Sequence, residues 1–513
     1  MAQPDSGDAC LGGKRIMKYI AHALAAAFIL LYIVLALWRI SYPYELEWQE
    51  GSMVDHVQRV LDGRPLYTEP SVEWVPAIYP PLYYYVSAGA ALVLGVGFLP
   101  LRLISFLASL GCMAVLFAFV RRESKDRWAG LIAAGLFAAL YRLSGAWLDV
   151  ARVDSLFLFF LLLALWVVRF QRTRIGWLLA ALLTAAAVFT KQTAAIAALF
   201  LIVYAVRLRR QGGWFFIVPL IILVAAPILL LDRASGGWFI FYLWQVPAGH
   251  GLIGHAFVEF WLLDIFRPLT VAVLFGLAYL HLRKQSAARA DLWFYLLAGA
   301  GFLMASWVPR VKDGNYANDL LPAYAFIALL FGLAVPALRA WGRELRASLS
   351  DDHPLRRHAV PLVTALFWSA ILMQFAVLYY RPLEQIPTAA DRAAGEMFIA
   401  SVGQMPGEVW IGHHGYYAAM AGKRTYATAL PIYDVLRCKN ERAKNLLLNS
   451  VERAFKQRRF AAIITDNDRF VNLNEYREYE RRGAVFNDAA VFWPVSGAPT
   501  RPLRVYVPRA ANE

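Results

Sequence analysis

Residues 40–80 gather carboxylates that could do chemistry. Glu45, Glu47, Glu50, Asp55, Asp62, Glu69 and Glu73 lie there with His56, among Tyr42, Tyr44, Trp48, Tyr67, Trp74 and Tyr79. A carboxylate in such a place can take the proton from a hydroxyl as its oxygen attacks an electrophilic carbon. Burial or a neighbouring carboxylate raises its pKa toward that task. The bland alternative, a solvated loop, applies to any single one of them. Glu47, Glu50, Val54 and Val57 recur at helical spacing, so one face would present carboxylates toward a cavity. Aromatic residues prefer the headgroup level of a bilayer, which lays this loop along a membrane surface as short helices. The loop closes on Tyr79-Pro80-Pro81-Leu82, where the prolines start a helix because its first turn needs no N–H.

Further charges stand at the edges of apolar runs. Asp149, Arg152 and Asp154 bracket one such edge. Arg152 paired with Asp149 or Asp154 is the structural reading; Asp154 lining the same cavity as Glu50 is the functional one, since charge inside a membrane segment is costly. Lys191 is surrounded by apolar sequence in Ala187-Val188-Phe189-Thr190-Lys191-Gln192-Thr193 and requires an anion or a water-filled cavity; a phosphate would serve. Arg310, Lys312, Asp313, Asn315, Tyr316, Asn318 and Asp319 form another cluster, in which an arginine could stabilise charge on a departing phosphate. His250, His255 and Glu259, and His413-His414, match no metalloprotease spacing and read as structural. No glycine-rich phosphate loop occurs.

Membrane helices must position these groups. The chain has 513 residues, 59% hydrophobic and 17% charged, against ~45–50% and ~25% in a soluble domain. That composition excludes an ordinary cytoplasmic enzyme. The net charge of +15 falls largely in short arginine-rich loops, such as Arg207, Arg209 and Arg210, so it reports topology and implies no nucleic acid. Cys10, Cys112 and Cys438 build neither a disulfide scaffold nor a CxxC site. Lys14, Arg15 and Lys18 precede an apolar run of spanning length, a signal anchor rather than a cleaved signal.

A span needs roughly 20 apolar residues. Spans are expected near 19–39, 81–97, 101–120, 128–147, 153–170, 175–190, 193–206, 214–231, 262–282, 291–308, 319–338 and 359–379. Those between 175 and 206 are short, with a polar break at Thr190, Lys191 and Gln192. Loop charges put 1–18, 121–127, 169–174, 207–211, 283–289 and 339–358 on the cytoplasmic side, with 40–80, 145–152, 232–261, 307–318 and the tail opposite. Only two spans separate outer loop 40–80 from inner loop 121–127, where parity demands an odd number. A re-entrant segment there, or a misread loop, would account for it. The tail, 385–513, reads as a small α/β or α+β domain with a helix through Lys439–Lys456 and strands at Val409–Ile411, Phe460–Thr465 and Leu503–Val507.

The combination resembles the GT-C polyprenyl-phosphate-sugar-dependent glycosyltransferases, specifically the family of protein O-mannosyltransferases and lipid A aminoarabinose transferases. The residues that carry the resemblance are Gln49-Glu50-Gly51, Leu61-Asp62-Gly63-Arg64-Pro65-Leu66-Tyr67, Tyr79-Pro80-Pro81-Leu82-Tyr83-Tyr84, Leu101-Arg102-Leu103, Asp154, Thr190-Lys191 and Tyr316 to Pro322, in that order across about residues 19–380. It implies a polytopic α-helical GT-C-like membrane protein of about 11–13 transmembrane helices with a C-terminal extracytoplasmic domain. It makes residues 1–18 a cytoplasmic N-terminus and 19–380 the catalytic unit. Glu50 falls at the position of the catalytic base, and Asp154 at a second acidic position. Lys191 and Arg310 match the donor-phosphate region, with Lys312 and Tyr316 as further contacts to the donor phosphate or lipid. Two departures stand out: Gln49 occupies the place of an aspartate, and Ile78-Tyr79 replaces the Glu-Lys that precedes the proline in the aminoarabinose branch.

The implied reaction is one displacement, hence inverting, from a polyprenyl-phosphate sugar to a hydroxyl of a lipid, glycan or protein acceptor on the extracytoplasmic side. The sequence requires no cofactor, and related enzymes differ on a divalent metal. The absence of glycosylation sequons and the Ala/Arg-rich composition favour a bacterial inner membrane. Two rival readings are a transporter or flippase of a lipid-linked sugar, which more often shows paired repeats not found here, and a non-catalytic envelope assembly protein. The sugar and the acceptor are not specified.

Overall fold

A computed structural model describes residues 6–171, 173–208, 212–285, 289–348, 354–467, 469–471 and 477–509. Arg209 and Arg210 of the expected inner loop lie outside the described residues. Each of the twelve expected apolar segments contains or overlaps a helix. Among the described residues, six helices are long and apolar enough to cross a membrane: Ile16–Arg39, Phe98–Ser124, Trp214–Ala234, Ala256–Gln285, Asp291–Arg310 and Ala317–Ser348. The last is 89% buried across its apolar window and forms the axis of the bundle. Shorter apolar helices, including Arg174–Thr190 and Leu82–Leu94, pack with them.

Local chemistry sets the ends. The Asp126 carboxylate caps helix Arg127–Ala139 by accepting from Trp128 N at 2.8 Å and Ala129 N at 3.3 Å. That helix stops eight residues short of the expected 128–147 span, because the chain turns at Leu140 and runs as a buried loop through Gly145 and Ala146, both at positive φ. Lys191 leaves helical geometry at φ −147°, ψ 121°, so 174–190 and 194–208 are two helices and the polar break is real.

Helix Leu82–Leu94 has 13 residues, about 20 Å at ~1.5 Å per residue. Both ends lie against the C-terminal segment. Before it, Val72 N donates to Ser450 Oγ at 2.8 Å and Val72 O accepts from Ala427 N at 3.0 Å. After it, Tyr416 stacks edge-on to Phe98 with ring centroids 5.3 Å apart. At that length the helix is one of the shorter apolar helices rather than one of those long enough to cross a bilayer.

The C-terminal segment carries a four-stranded sheet in the order β1 (Glu408–Ile411), β2 (Phe460–Thr465), β4 (Arg504–Pro508), β3 (Tyr479–Ala484). β1 and β2 are parallel; the other pairs are antiparallel. β3 is the strand the sequence pattern missed: its residues after Tyr479 are exposed and carry no alternation. Helix Glu441–Lys456 packs Leu447, Val451 and Phe455 onto Trp410 and Phe460. This core is not separate. It is continuous with Tyr44, Met53, Val54, Val57, Val72 and Val75 of the first loop, so loop and tail are one packed unit.

Candidate active site

Glu50 opens helix Glu50–Leu61 and is fully buried. Its Oε1 accepts from Arg102 Nε at 2.9 Å and from Ala151 N at 2.6 Å. Its Oε2 accepts from Arg102 Nη2 at 2.6 Å and from Leu46 N at 2.7 Å. Burial alone would raise this carboxyl, but the Arg102 guanidinium and the two amides hold it below the usual carboxylate range. With four donors on two oxygens, Glu50 has no lone pair directed at a substrate. Glu50, the base expected from the sequence, ties the first loop to helix Phe98–Ser124 and to the loop before Asp154 in this structure.

Glu47, one helical turn earlier, is the opposite case. It is 1% exposed, and its Oε2 has no hydrogen-bond partner. The nearest cation is Arg152, whose Nη1 stands 3.6 Å away, beyond hydrogen-bond reach. Arg152 Nε and Nη1 are likewise buried without partners. Burial lifts the Glu47 carboxyl to about 8, against the pull of Arg152 and with help from Glu50 and Glu45. Unpartnered buried polar atoms are uncommon in folded proteins, and here a carboxylate and a guanidinium face each other that way.

The expected partners of Arg152 are taken elsewhere. Asp149 pairs with Arg39 at 3.1 Å. Asp154 accepts from Lys191 Nζ at 2.8 Å, Asn318 Nδ2 at 3.0 Å and Trp147 Nε1 at 2.8 Å. Arg152 is held instead by Tyr79, whose hydroxyl accepts from Nη2 at 3.0 Å, and lies between the Tyr79 and Trp147 rings at 5.5 and 5.4 Å.

The structure brings Asp154 and Lys191 together as an ion pair. Lys191 Nζ also donates to Asp319 Oδ1 at 2.9 Å, so its charge is matched by two carboxylates. Tyr316 joins this neighbourhood with its ring 5.0 Å from Trp147 and its hydroxyl donating to Gly497 O at 3.3 Å. It holds the C-terminal segment. Arg310 and Lys312 make their contacts elsewhere. Arg310 donates to Asp264 Oδ2 at 2.7 Å and Asn315 Oδ1 at 2.6 Å, and Lys312 donates to Pro247 O at 2.9 Å. Asp264 belongs to the turn Phe260–Phe266, whose Trp261, Ile265 and Phe266 line an apolar groove of about 420 Å³ continuing past Gly276, Gly299 and Leu330.

A second buried cluster joins the first loop to the tail. His414 lies between Glu45 and Asp466: Nδ1 bonds Glu45 Oε2, and Nε2 is 2.9 Å from Asp466 Oδ2. Burial disfavours the charged imidazole, but the flanking carboxylates raise it to about 10. His250 pairs with Asp434 at 3.2 Å and His255 is exposed beside Glu259. Among the described residues no three His, Cys, Asp or Glu side chains form a metal-holding group.

Sequence reading gave Arg102 no partner and did not separate the surroundings of Glu47 from those of Glu50. An arginine inside an apolar span is itself a signal for a buried anion. Which of two carboxylates it serves has no sequence signature.

The family model for dolichyl-phosphate-mannose-protein mannosyltransferases matches residues 79–231. No curated protein sequence matches. Among solved structures, ArnT from Cupriavidus metallidurans in the apo state aligns with a TM-score of 0.58 at 14% identity, covering 94% of this chain and 98% of that one. The same protein bound to undecaprenyl phosphate gives 0.57 with the same identity and coverage. AglB from Archaeoglobus fulgidus, in complex with an inhibitory peptide and a dolichol-phosphate, gives 0.53 at 12% identity over 88% of this chain and 70% of that one. The chain has the GT-C glycosyltransferase fold. The family match begins at Tyr79, the residue that holds Arg152. It takes in Arg102, Arg152, Asp154 and Lys191 and ends before the Arg310 cluster.

Proposed function

We propose that this protein is an inverting glycosyltransferase. It moves a sugar from a polyprenyl-phosphate donor to a hydroxyl of a lipid, glycan or protein acceptor. The reaction takes place on the extracytoplasmic side of a bacterial inner membrane, where the tail, 385–513, faces and where residues 19–380 form the catalytic unit. The observation that carries the reading is Glu47 Oε2 facing Arg152 Nη1 at 3.6 Å, both buried and neither hydrogen-bonded, inside this fold.

In this reading Glu47 accepts the acceptor's proton as its oxygen attacks the anomeric carbon. The new C–O bond forms as the bond from that carbon to the phosphate oxygen breaks, and the electron pair leaves on the lipid phosphate. Arg152 faces the charge that develops there. The polyprenyl tail lies in the apolar groove beside Phe266 and Gly299, and Arg310 pairs with Asp264, the neighbour in sequence of the groove residue Ile265. A run of contacts links that pair to the reacting centre: Arg310 to Asn315, the adjacent Tyr316 to Trp147, and Trp147 to Arg152. Asp154 and Lys191 act through Trp147 as positioning residues.

The test is transfer from a panel of radiolabelled polyprenyl-phosphate sugars in proteoliposomes, with envelope extract of the host as acceptor. Wild type is run beside Glu47→Gln and Glu50→Gln. The reading expects transfer by wild type, and donor binding without transfer by Glu47→Gln. Donor crossing the bilayer without any transfer, unchanged in Glu47→Gln, makes the protein a flippase instead.

A further inference from the structure

The tail does more than cover the first loop: one strap of it reaches the candidate base. Ser496 pairs with Glu47 as a parallel β-bridge, and Ser496 N donates to Leu46 O at 3.0 Å. The Ser496 hydroxyl donates to Gly145 O, and the next carbonyl, of Gly497, accepts from Tyr316 at 3.3 Å. Gly497 has φ +77°, and a Cβ there would stand 2.8 Å from Glu47 Cγ and 3.0 Å from Oε1. The backbone of Gly497 therefore lies directly on the carboxylate, in a conformation and a space that favour glycine.

With the strap in place, Glu47 is 1% exposed and Arg152 5% exposed. No acceptor hydroxyl reaches Glu47 past it. The body of the tail is not what yields. It shares an apolar core with the first loop, and Glu73 binds both Arg424 and Arg459 across the junction. The strap differs. Its side chains Val495, Ser496 and Ala498 are small, and Ala498 and Pro499 are exposed. Three hydrogen bonds, two of them using its backbone, hold it to the membrane part. Pro494 and Pro499 bound the segment and limit where it bends.

We propose that residues 494–499 are the acceptor gate of this site, closed over Glu47 at rest and lifted from Leu46 and Gly145 to admit the acceptor, with Ser496 and Tyr316 positioning it. The inference rests on Glu47 being the base. Lifting the strap frees the carbonyl of Leu46 and opens the Oε1 side of Glu47, while Oε2 stays toward Arg152. The acceptor hydroxyl then gives its proton to Oε1 while its oxygen meets the anomeric carbon on the face opposite the departing phosphate, as a single displacement requires.

Leu46 and Val495 precede the bridged pair by one residue on each strand and share a small cluster with Trp147 and Val150, so they run side by side. Leu46→Cys combined with Val495→Cys should form a disulfide in the full-length protein, verified by mass spectrometry. Oxidised, this variant should bind polyprenyl phosphate as wild type does yet transfer sugar at less than one-tenth of the wild-type rate. Reductant should restore transfer. Full transfer by the oxidised protein, or failure of the bridge to form in folded protein, overturns the proposal.

A second measurement needs no donor. Ser496→Cys should react slowly with a soluble maleimide, and adding Tyr316→Phe should raise that rate at least threefold by releasing Gly497. An unchanged rate overturns the gate even where transfer is seen. A raised rate with no transfer from any donor supports the gate and counts against the transferase reading alone.

Discussion

Glu50 and Arg102 are joined by two hydrogen bonds, at 2.9 and 2.6 Å, with both side chains fully buried. Arg102 also donates to Tyr42 O and Tyr44 O at 2.5 Å, so a single guanidinium holds both the carboxylate and the backbone that leads to it. Removing one member of a buried pair leaves the other charge uncompensated, at a cost of about 3–5 kcal/mol. Glu50→Gln and Arg102→Met should each lower the thermal midpoint of detergent-purified protein sharply. Glu47→Gln should leave it near wild type. Equal midpoints for Glu47→Gln and Glu50→Gln would mean the two carboxylates do not divide anchor from base in this way.

Glu47, raised to about 8 by burial, must lose its proton before it can serve as a base. kcat/KM for transfer should therefore rise with pH and level off above about 8, falling roughly tenfold per unit below it. Glu47→Gln should lower the rate by about 10²–10⁴-fold, the range of general base catalysis. A pH–rate profile flat from 6 to 9 in wild type would remove Glu47 from this role.

His414 should make the junction of loop and tail sensitive to alkali. Its folded pKa of about 10 lies above the ordinary 6.5, so its stabilisation is complete below 6.5 and is lost as pH rises through about 10. The facing groups are Glu45, raised to about 7 by burial, Asp466, held low chiefly by His414 against the effect of burial, and His413, lowered by burial to about 4. Glu45 works in the same direction: its raised pKa favours the protonated form, so ionisation costs the fold stability between about 4.5 and 7. The thermal midpoint should fall steadily from pH 6.5 to 10, and His414→Gln should flatten that slope.

Lys191 sits between Asp154 and Asp319 at 2.8 and 2.9 Å. Lys191→Met leaves two buried carboxylates together, so it should destabilise more than Lys191→Met combined with Asp154→Asn and Asp319→Asn. Comparing the thermal midpoints of the two variants checks this. If the triple variant is the less stable, the cluster owes its stability to something other than charge balance.

The apolar groove predicts a lipid effect separable from catalysis. Ala300 lines it on helix Arg289–Arg310. Ala300→Phe would fill part of its volume and should weaken polyprenyl-phosphate binding about tenfold, the equivalent of roughly 1.4 kcal/mol. Binding isotherms with undecaprenyl phosphate measure it, with the thermal midpoint as the control for folding.

What the sequence determined by itself is what depends on local pattern and composition. Apolar runs placed the helices, because hydrocarbon demands internally bonded backbone of a given length. Pro80-Pro81, the aromatic first loop and isolated charges such as Asp154 and Lys191 marked the candidate site. The periodic stretch 439–456 and the runs at 409–411 and 460–465 showed themselves in the same way. Tertiary structure alone decided the rest. Whether a carboxylate is an anchor or a base depends on how many donors reach it, and those of Glu50 come from Leu46, Ala151 and Arg102. Lys191 looked free for phosphate until folding brought Asp319 to it from 128 residues away. The tail's contacts with the first loop, such as Val72 N donating to Ser450 Oγ across 378 residues, have no signature in the sequence. Glu47 stands out because folding buried it and left its Oε2 without a donor.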